Sequence, residues 1–117
     1  MTDAELRALL EGLHHEAVDR VASLDTTLAQ LARDRTGQSD DDEHDPEGVP
    51  LSAEWSRLSG LRDDARHELQ HVADALARMD AGTYGVCAAC GRRIPPARLE
   101  ARPFAELCVP CAEKSGR

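Results

Sequence analysis

The chain has 117 residues, of which 41% are apolar and 31% charged, and its net charge at pH 7 is −8. That length is enough for one modest domain or two small modules. No run of 18 apolar residues occurs and the first residues do not resemble a signal peptide, so we expect a cytoplasmic chain without a membrane span. Aromatic residues make up only 3% of the chain, which is typical of long helices rather than of a compact globular core.

The charge is unevenly distributed along the chain. Residues 82–117 carry six basic and three acidic side chains, whereas residues 1–81 carry 19 acidic and eight basic ones. An acidic body repels phosphate groups, so direct DNA binding by the long first part is not expected. The basic last part alone is suited to contact phosphate.

A first long helix is predicted from the N-terminus. Thr2 and Glu5 have the spacing of a capping box, which opens a helix. The apolar residues that follow are spaced by three and four, apart from one stutter, and this indicates a coiled-coil seam. They are Leu6, Leu10, Leu13, Ala17, Val21, Leu24, Leu28 and Leu31. Gly37 can end the helix.

An acidic connector follows this helix. Six of the eight residues from Asp40 to Glu47 are acidic, and Pro46, Gly48 and Pro50 interrupt any regular period. This composition predicts a loop around residues 36–50.

A second long helix is predicted from Leu51 or Ser52 to the residues before Gly82. Its seam has unbroken three- and four-residue steps, and one member is polar. The seam residues are Leu51, Trp55, Leu58, Arg62, Ala65, Leu69, Val72, Leu76 and Met79. A long helix cannot bury such a seam alone, so the two helices are expected to fold back on each other. We therefore predict a mainly α fold, with an antiparallel coiled-coil hairpin over residues 1–81, an acidic tip and a small module over residues 82–117.

The stretch HELQH, from His67 to His71, matches the H-E-x-x-H motif of zinc metalloproteases. On a helix, however, His67 lies about 200° from Ala65 and from Leu69, which places it opposite the seam. His71 is one turn further along that outer face. We therefore interpret the motif as a solvated helix face and do not expect an enzyme.

Four cysteines provide a stronger metal signal. Cys87 and Cys90 form one C-x2-C pair, Cys108 and Cys111 form another, and 17 residues separate the pairs. This spacing predicts one structural Zn²⁺ held by four thiolates, with no position left open for catalysis. Four reduced core cysteines, two disulfides or an iron site remain alternatives at this point. The segment between the pairs is too short for its own core, so metal is expected to stabilise it.

The sequence around these cysteines resembles the DksA/TraR family of bacterial transcription factors. The resemblance rests on Gly82, Tyr84-Gly85, Cys87, Cys90-Gly91, Ile94, Arg98-Leu99-Glu100-Ala101, Pro103, Leu107-Cys108 and Cys111. The preceding pair of long helices and the acidic tip are similar to the family's organisation as well.

The resemblance implies that this chain binds RNA polymerase and inserts its coiled coil into the secondary channel. Asp42 and Asp45 match the family's D-x-x-D tip pattern, which approaches the polymerase active site. The basic finger residues are candidates for docking on polymerase; they are Arg92, Arg93, Arg98 and Arg102. The basic cluster that longer members carry before the finger is missing here, so cooperation with the alarmone ppGpp is not expected. The chain is expected to be a monomer.

One alternative function follows from the charge distribution. A basic four-cysteine module with net charge +3 is also compatible with a zinc-finger nucleic-acid-binding protein. Such binding would be steeply salt-dependent, and Tyr84 and Phe104 offer little aromatic surface on which bases could stack. The polymerase-binding regulator therefore remains the favoured prediction.

Overall fold

The computed structural model of the chain describes residues 2–37 and 51–116, and side chains are described except at residues 35–37. The described residues form four helices: α1 at Asp3–Gly37, α2 at Leu51–Ala81, α3 at Pro96–Ala101 and α4 at Val109–Ser115. Within the described ranges the only β pairing is one isolated bridge. The predicted acidic tip loop, with Asp42 and Asp45, lies outside the described residues. None of the helices has an apolar stretch long enough to cross a membrane.

The ends of the two long helices follow from local sequence. The hydroxyl of Thr2 accepts a hydrogen bond of 3.1 Å from the backbone N–H of Glu5, which satisfies one free donor of the first turn. At the other end, Gly82 has a φ of 79° and its N–H donates to the carbonyl of Met79. Glycine adopts this left-handed conformation without a steric penalty, so α2 ends where the sequence predicted.

Contacts divide the chain into two compact units, and Glu16–Glu68 forms one of them. There α1 and α2 run antiparallel: Arg20 pairs with Glu68 at 2.7 Å, and Asp25, further along α1, lies 3.5 Å from Arg62, earlier in α2. Its buried apolar residues are Ala17, Leu28, Leu58 and Ala65. Every described seam residue predicted for this unit is buried or half-buried.

The other unit combines Met1–His15 with Leu69–Arg117. Its helical part is again antiparallel, since Arg7 at the start of α1 pairs with Asp80 at the end of α2 at 2.9 Å. The fully buried apolar residues there are Leu10, Val72 and Ala75. Ala75 is not a member of the predicted seam, so the apolar stripe of α2 is wider here than a strict heptad pattern indicates.

The predicted fold class is confirmed: the chain is mainly α, with an antiparallel pair of long helices and a small four-cysteine module. The predicted domain division between residues 81 and 82 stays a prediction. The two compact units are defined by contacts and do not follow this sequence boundary. The unit of Met1–His15 and Leu69–Arg117 includes both helical residues and the cysteine module.

Candidate metal centre

The four-cysteine module contributes most residues of a small hydrophobic core. One cluster of buried residues contains Leu6 from α1 and five residues that come after α2, which are Cys87, Ile94, Leu99, Leu107 and Ala112. Met79 and Tyr84 pack against this cluster. The first turns of α1 and the module therefore share one hydrophobic core.

The first cysteine pair lies on a tight hairpin. The N–H of Cys87 donates to the carbonyl of Arg92 at 2.8 Å, and the N–H of Gly91 donates back to the carbonyl of Cys87 at 2.9 Å. Gly91 has a φ of 75°, which favours glycine at this turn. A further bond of 2.7 Å, from the N–H of Ile94 to the carbonyl of Gly85, closes the base of the hairpin.

The second cysteine pair lies at the start of α4. Cys108 is the N-cap residue of that helix, and the N–H of Ala112 donates to its carbonyl at 2.9 Å. A bond of 2.8 Å from the N–H of Ala88 to the carbonyl of Glu106 joins the segments that carry the two pairs. Backbone hydrogen bonds therefore bring together cysteines that are far apart in sequence.

The four sulfur atoms converge on one point. The Sγ atoms of Cys87, Cys90, Cys108 and Cys111 all lie within 4.8 Å of one another. Cys90 and Cys108 are 3.8 Å apart. Four sulfurs at about 2.3 Å from a tetrahedral zinc ion lie about 3.8 Å from one another. The arrangement therefore fits one tetrahedral metal ion bound by four thiolates, which leaves no open coordination position.

The thiol pKa values of the metal-free centre diverge. Hydrogen bonds from the backbone N–H groups of Cys108 and Cys90 lower the pKa of Cys87 from 9.0 to about 6. Hydrogen bonds with the side chains of Cys108 and Cys87 raise the pKa of Cys111 to about 12. Four thiolates this close repel one another, so full deprotonation requires a cation among them.

Side chains outside the cysteines hold the module in place, and sequence analysis missed this role. The hydroxyl of Tyr84 donates to the carbonyl of Pro103 at 2.9 Å, and burial raises the pKa of this phenol. The Nε of Arg98 donates to the carbonyl of Leu107 at 2.8 Å. Backbone carbonyls carry no side-chain signature, so a sequence pattern could not identify these acceptors.

The arginine at the end of α2 adds a further anchor. Arg78 lies 3.4 Å from a carboxylate oxygen of Glu106 and donates to the carbonyl of Phe104, also at 3.4 Å. The seam pattern of α2 gives no indication of this contact, because Arg78 lies beside the seam rather than in it. The last turn of α2 is thereby attached to the loop before the second cysteine pair.

The four arginines that were predicted to dock on polymerase differ in their surroundings. Arg92, Arg93 and Arg102 are exposed, whereas Arg98 is half-buried and already engaged by the carbonyl of Leu107. A docking role for these residues stays a prediction. Arg98 has a structural contact within the module in addition to any such role.

Among the described residues, no third ligand side chain joins the HELQH histidines in a metal site. His67 and His71 are both exposed, and the ring of His71 packs edge-on against Phe104 with centroids 6.2 Å apart. In the part of the chain that the structure describes, the four cysteines are the only group of three or more potential ligand side chains close enough to share an ion. The metal signal of the sequence therefore belongs to the cysteines.

The cysteine module and the whole chain are both similar to known proteins. Residues 82–115 match the family model described as "Prokaryotic dksA/traR C4-type zinc finger". Over 111 residues the chain is 30% identical to a protein of Escherichia coli K12 named "RNA polymerase-binding transcription factor DksA", covering 92% of this chain and 67% of that protein. The protein of the same name from Haemophilus influenzae is 29% identical over 90% of this chain and 68% of its own length. The chain belongs to the DksA/TraR family.

Two further comparisons are partial or concern the fold alone. An uncharacterised protein of Aquifex aeolicus is 43% identical over 49 residues, which cover 42% of this chain and 34% of that protein. The solved structure of transcription factor DksA2 from Pseudomonas aeruginosa superimposes with a TM-score of 0.80 at 24% identity, over 97% of this chain and 81% of that one. This likeness confirms the fold. The family match and the four converging sulfurs together assign one structural zinc ion to the chain.

Acid is expected to release this zinc. Zinc requires thiolates, so protons compete with the metal and binding weakens as pH falls. Taken alone, the lowered pKa of Cys87 and the raised pKa of Cys111 in the folded module change its stability with pH in opposite directions. The lowered pKa of Cys87 stabilises the folded module at pH values above 9.0, the ordinary pKa of the thiol, and this contribution is lost as pH falls through about 6. The raised pKa of Cys111 stabilises the fold below 9.0, and this contribution is lost as pH rises through about 12.

Bound zinc removes this opposition, because all four groups are then thiolates. A colorimetric zinc indicator should therefore report full retention near neutral pH and progressive release on acidification. Release on raising the pH from 7 to 9 would contradict the four-thiolate assignment.

Proposed function

We propose that this chain binds RNA polymerase and regulates the initiation of transcription. The observation that carries the proposal is the 30% identity over 111 residues to the Escherichia coli protein named "RNA polymerase-binding transcription factor DksA". The alignment covers both long helices and the cysteine module, so it is not limited to a common zinc-finger motif. A polymerase partner also accounts for the expected cytoplasmic location.

In this proposal the helix pair enters the secondary channel of the polymerase. A pair of antiparallel helices is slender, since each helix with its side chains is only about 10–12 Å across. Asp42 and Asp45 in the acidic connector then act near the polymerase active site. Six acidic side chains among eight residues create a concentrated negative potential, which can attract basic groups or perturb bound metal ions.

The zinc module has a structural role in this proposal. Cys87, Cys90, Cys108 and Cys111 would hold the metal as thiolates, and the metal would supply rigidity rather than chemistry. The exposed arginines Arg92, Arg93 and Arg102 supply the positive surface that would dock on polymerase. The expected monomeric state and the absence of ppGpp cooperation belong to the same proposal.

Polymerase binding and regulation should be separable by mutation. We expect the wild-type chain to bind purified core RNA polymerase and to change transcript yield from a ribosomal promoter. The Asp42→Asn/Asp45→Asn double variant should still bind but lose the effect on transcription, because the substitutions remove two charges and keep the side-chain volumes. Binding is measured by fluorescence anisotropy of labelled protein, and regulation by multiple-round transcription in vitro.

A matched control has the same change of charge on a described helix. Asp63 and Asp64 are exposed on α2, so the Asp63→Asn/Asp64→Asn double variant should keep both binding and regulation. Failure of the wild-type chain to bind polymerase would reject the proposal. If the chain instead bound duplex DNA at physiological salt, the basic module would be the binding surface. The nucleic-acid-binding alternative would then replace the polymerase proposal.

A further inference from the structure

One polar residue interrupts the apolar seam of α2 in the Glu16–Glu68 unit. Arg62 occupies a seam position between Leu58 and Ala65, both of which are buried. Its side chain is only 26% exposed, and its Nε atom is buried without a hydrogen-bond partner. Burying a charged group beside apolar neighbours in this way is costly, so leucine would be the more stabilising residue at this position.

The partner of Arg62 is a single carboxylate on the facing helix. Nη1 of Arg62 lies 3.5 Å from Oδ1 of Asp25, and Nη2 of Arg66 lies 3.5 Å from the same oxygen. Contacts of this length are weaker than a close bidentate pair, so they offset only part of the cost of partly desolvating the guanidinium. The pair therefore contributes little to net stability, and its role must lie elsewhere.

The apolar seam by itself leaves the pairing of the two helices ambiguous. Seam residues repeat every three and four positions, so sliding one helix past the other by seven residues places most apolar side chains opposite apolar side chains again. The charged pair does not repeat in this way. The residues seven positions before and after Asp25 are Val18 and Ala32, and neither carries a charge.

We propose that Arg62 and Asp25 form a register-determining pair, which selects one alignment of α1 against α2 in this unit at a cost in stability. In a slipped alignment the half-buried guanidinium faces an uncharged residue, and the cost of its partial desolvation is no longer offset by a carboxylate. The apolar residues supply the attraction between the helices. The charged pair excludes the alternatives that the same apolar pattern would allow.

The test is the Arg62→Leu variant of the full zinc-loaded chain, compared with wild type in two measurements. Its Tm, followed by circular dichroism, should rise by several degrees. For the second measurement, spin labels are attached to ketone-bearing amino acids introduced at positions 29 and 63, which are both exposed. This chemistry does not modify cysteines, so all four remain available to bind zinc. Pulsed electron paramagnetic resonance should give one distance in wild type. In the variant a second distance between the labels should appear, because a slip of seven residues moves one helix about 10 Å along its axis.

Two comparison variants distinguish register selection from packing. Arg57→Leu makes the same substitution on the same helix, but Arg57 is exposed and pairs with Glu54 within α2, so one distance should remain. Asp25→Leu leaves Arg62 in the seam without its carboxylate, so it should lower the Tm that Arg62→Leu raises. A single wild-type distance in Arg62→Leu, or a fall in its Tm, would overturn the proposal. Neither measurement involves polymerase, so the result is independent of the proposed function.

Discussion

Removal of zinc is expected to unfold the cysteine module over residues 82–115. Its buried cluster consists of six residues, and one of them is the cysteine ligand candidate Cys87. So small a core cannot offset the conformational entropy of more than 30 ordered residues. Structural zinc supplies an apparent free energy of about 10–16 kcal/mol in small fingers, which is larger than the whole stability of an ordinary domain.

The Cys87→Ser variant should reproduce the effect of a chelator. Cys87 is 2% exposed, so the substitution removes a thiolate and also places a hydroxyl in the shared core. We expect less than one zinc per chain by atomic emission and loss of dispersed amide signals from the module in NMR spectra. Because Leu6 belongs to the same cluster, signals from the first turns of α1 should change as well.

A histidine variant controls for the second metal motif of the sequence. His67 is exposed and is not part of a three-ligand group in the described ranges, so His67→Ala should retain one zinc per chain and the wild-type spectrum. Two zinc ions per chain in wild type, with one lost in His67→Ala, would show that the HELQH stretch is a genuine site. Retention of the folded module after complete zinc removal would contradict the structural role assigned to the metal.

The second large effect is expected for Leu10→Ala in the helical part of the Met1–His15 and Leu69–Arg117 unit. Leu10 is 0% exposed and is among the largest fully buried side chains. Truncation removes its transfer free energy and leaves a cavity, which together cost about 2–5 kcal/mol. The free energy of unfolding, measured by urea titration of the zinc-loaded chain, should fall by this amount.

The control for this substitution is Leu61→Ala, the same change at a side chain that is 44% exposed on α2. Its effect should be much smaller, about 0.5–1 kcal/mol, since truncating a leucine that reaches the surface leaves no enclosed cavity. Equal effects of the two substitutions would mean that the seam of α1 is not the source of stability in this unit. Zinc content should be measured for both variants, so that metal loss is not mistaken for a packing defect.

The periodic features of the fold could be predicted from sequence because they depend on local geometry. Side chains spaced by three and four residues share one face of a helix wherever the helix lies, so the described seam residues are buried or half-buried as expected. The helix ends at Thr2 and Gly82 follow from backbone chemistry within a few residues. The two C-x2-C pairs likewise indicate a four-cysteine metal site from their spacing, because each pair can close around one ion.

The contacts that fix the module could not be predicted in the same way. Arg78, Tyr84 and Arg98 each donate to a backbone carbonyl many residues away, and any donor side chain could satisfy such an acceptor. The packing of His71 against Phe104 joins residues 33 positions apart, and the HELQH pattern gives no indication of it. The functional assignments of Asp42 and Asp45 fall outside the described residues and stay predictions.

The sequence by itself therefore determined the helical periodicity, the four cysteines of the metal site and the family resemblance, because each depends on residues that are close along the chain or on a specific motif. Only the tertiary structure decided that Leu6 shares a core with Cys87 and that Arg62 faces Asp25. Both are pairings between distant segments. They depend on how the two helices align, and a repeating apolar pattern leaves that alignment open.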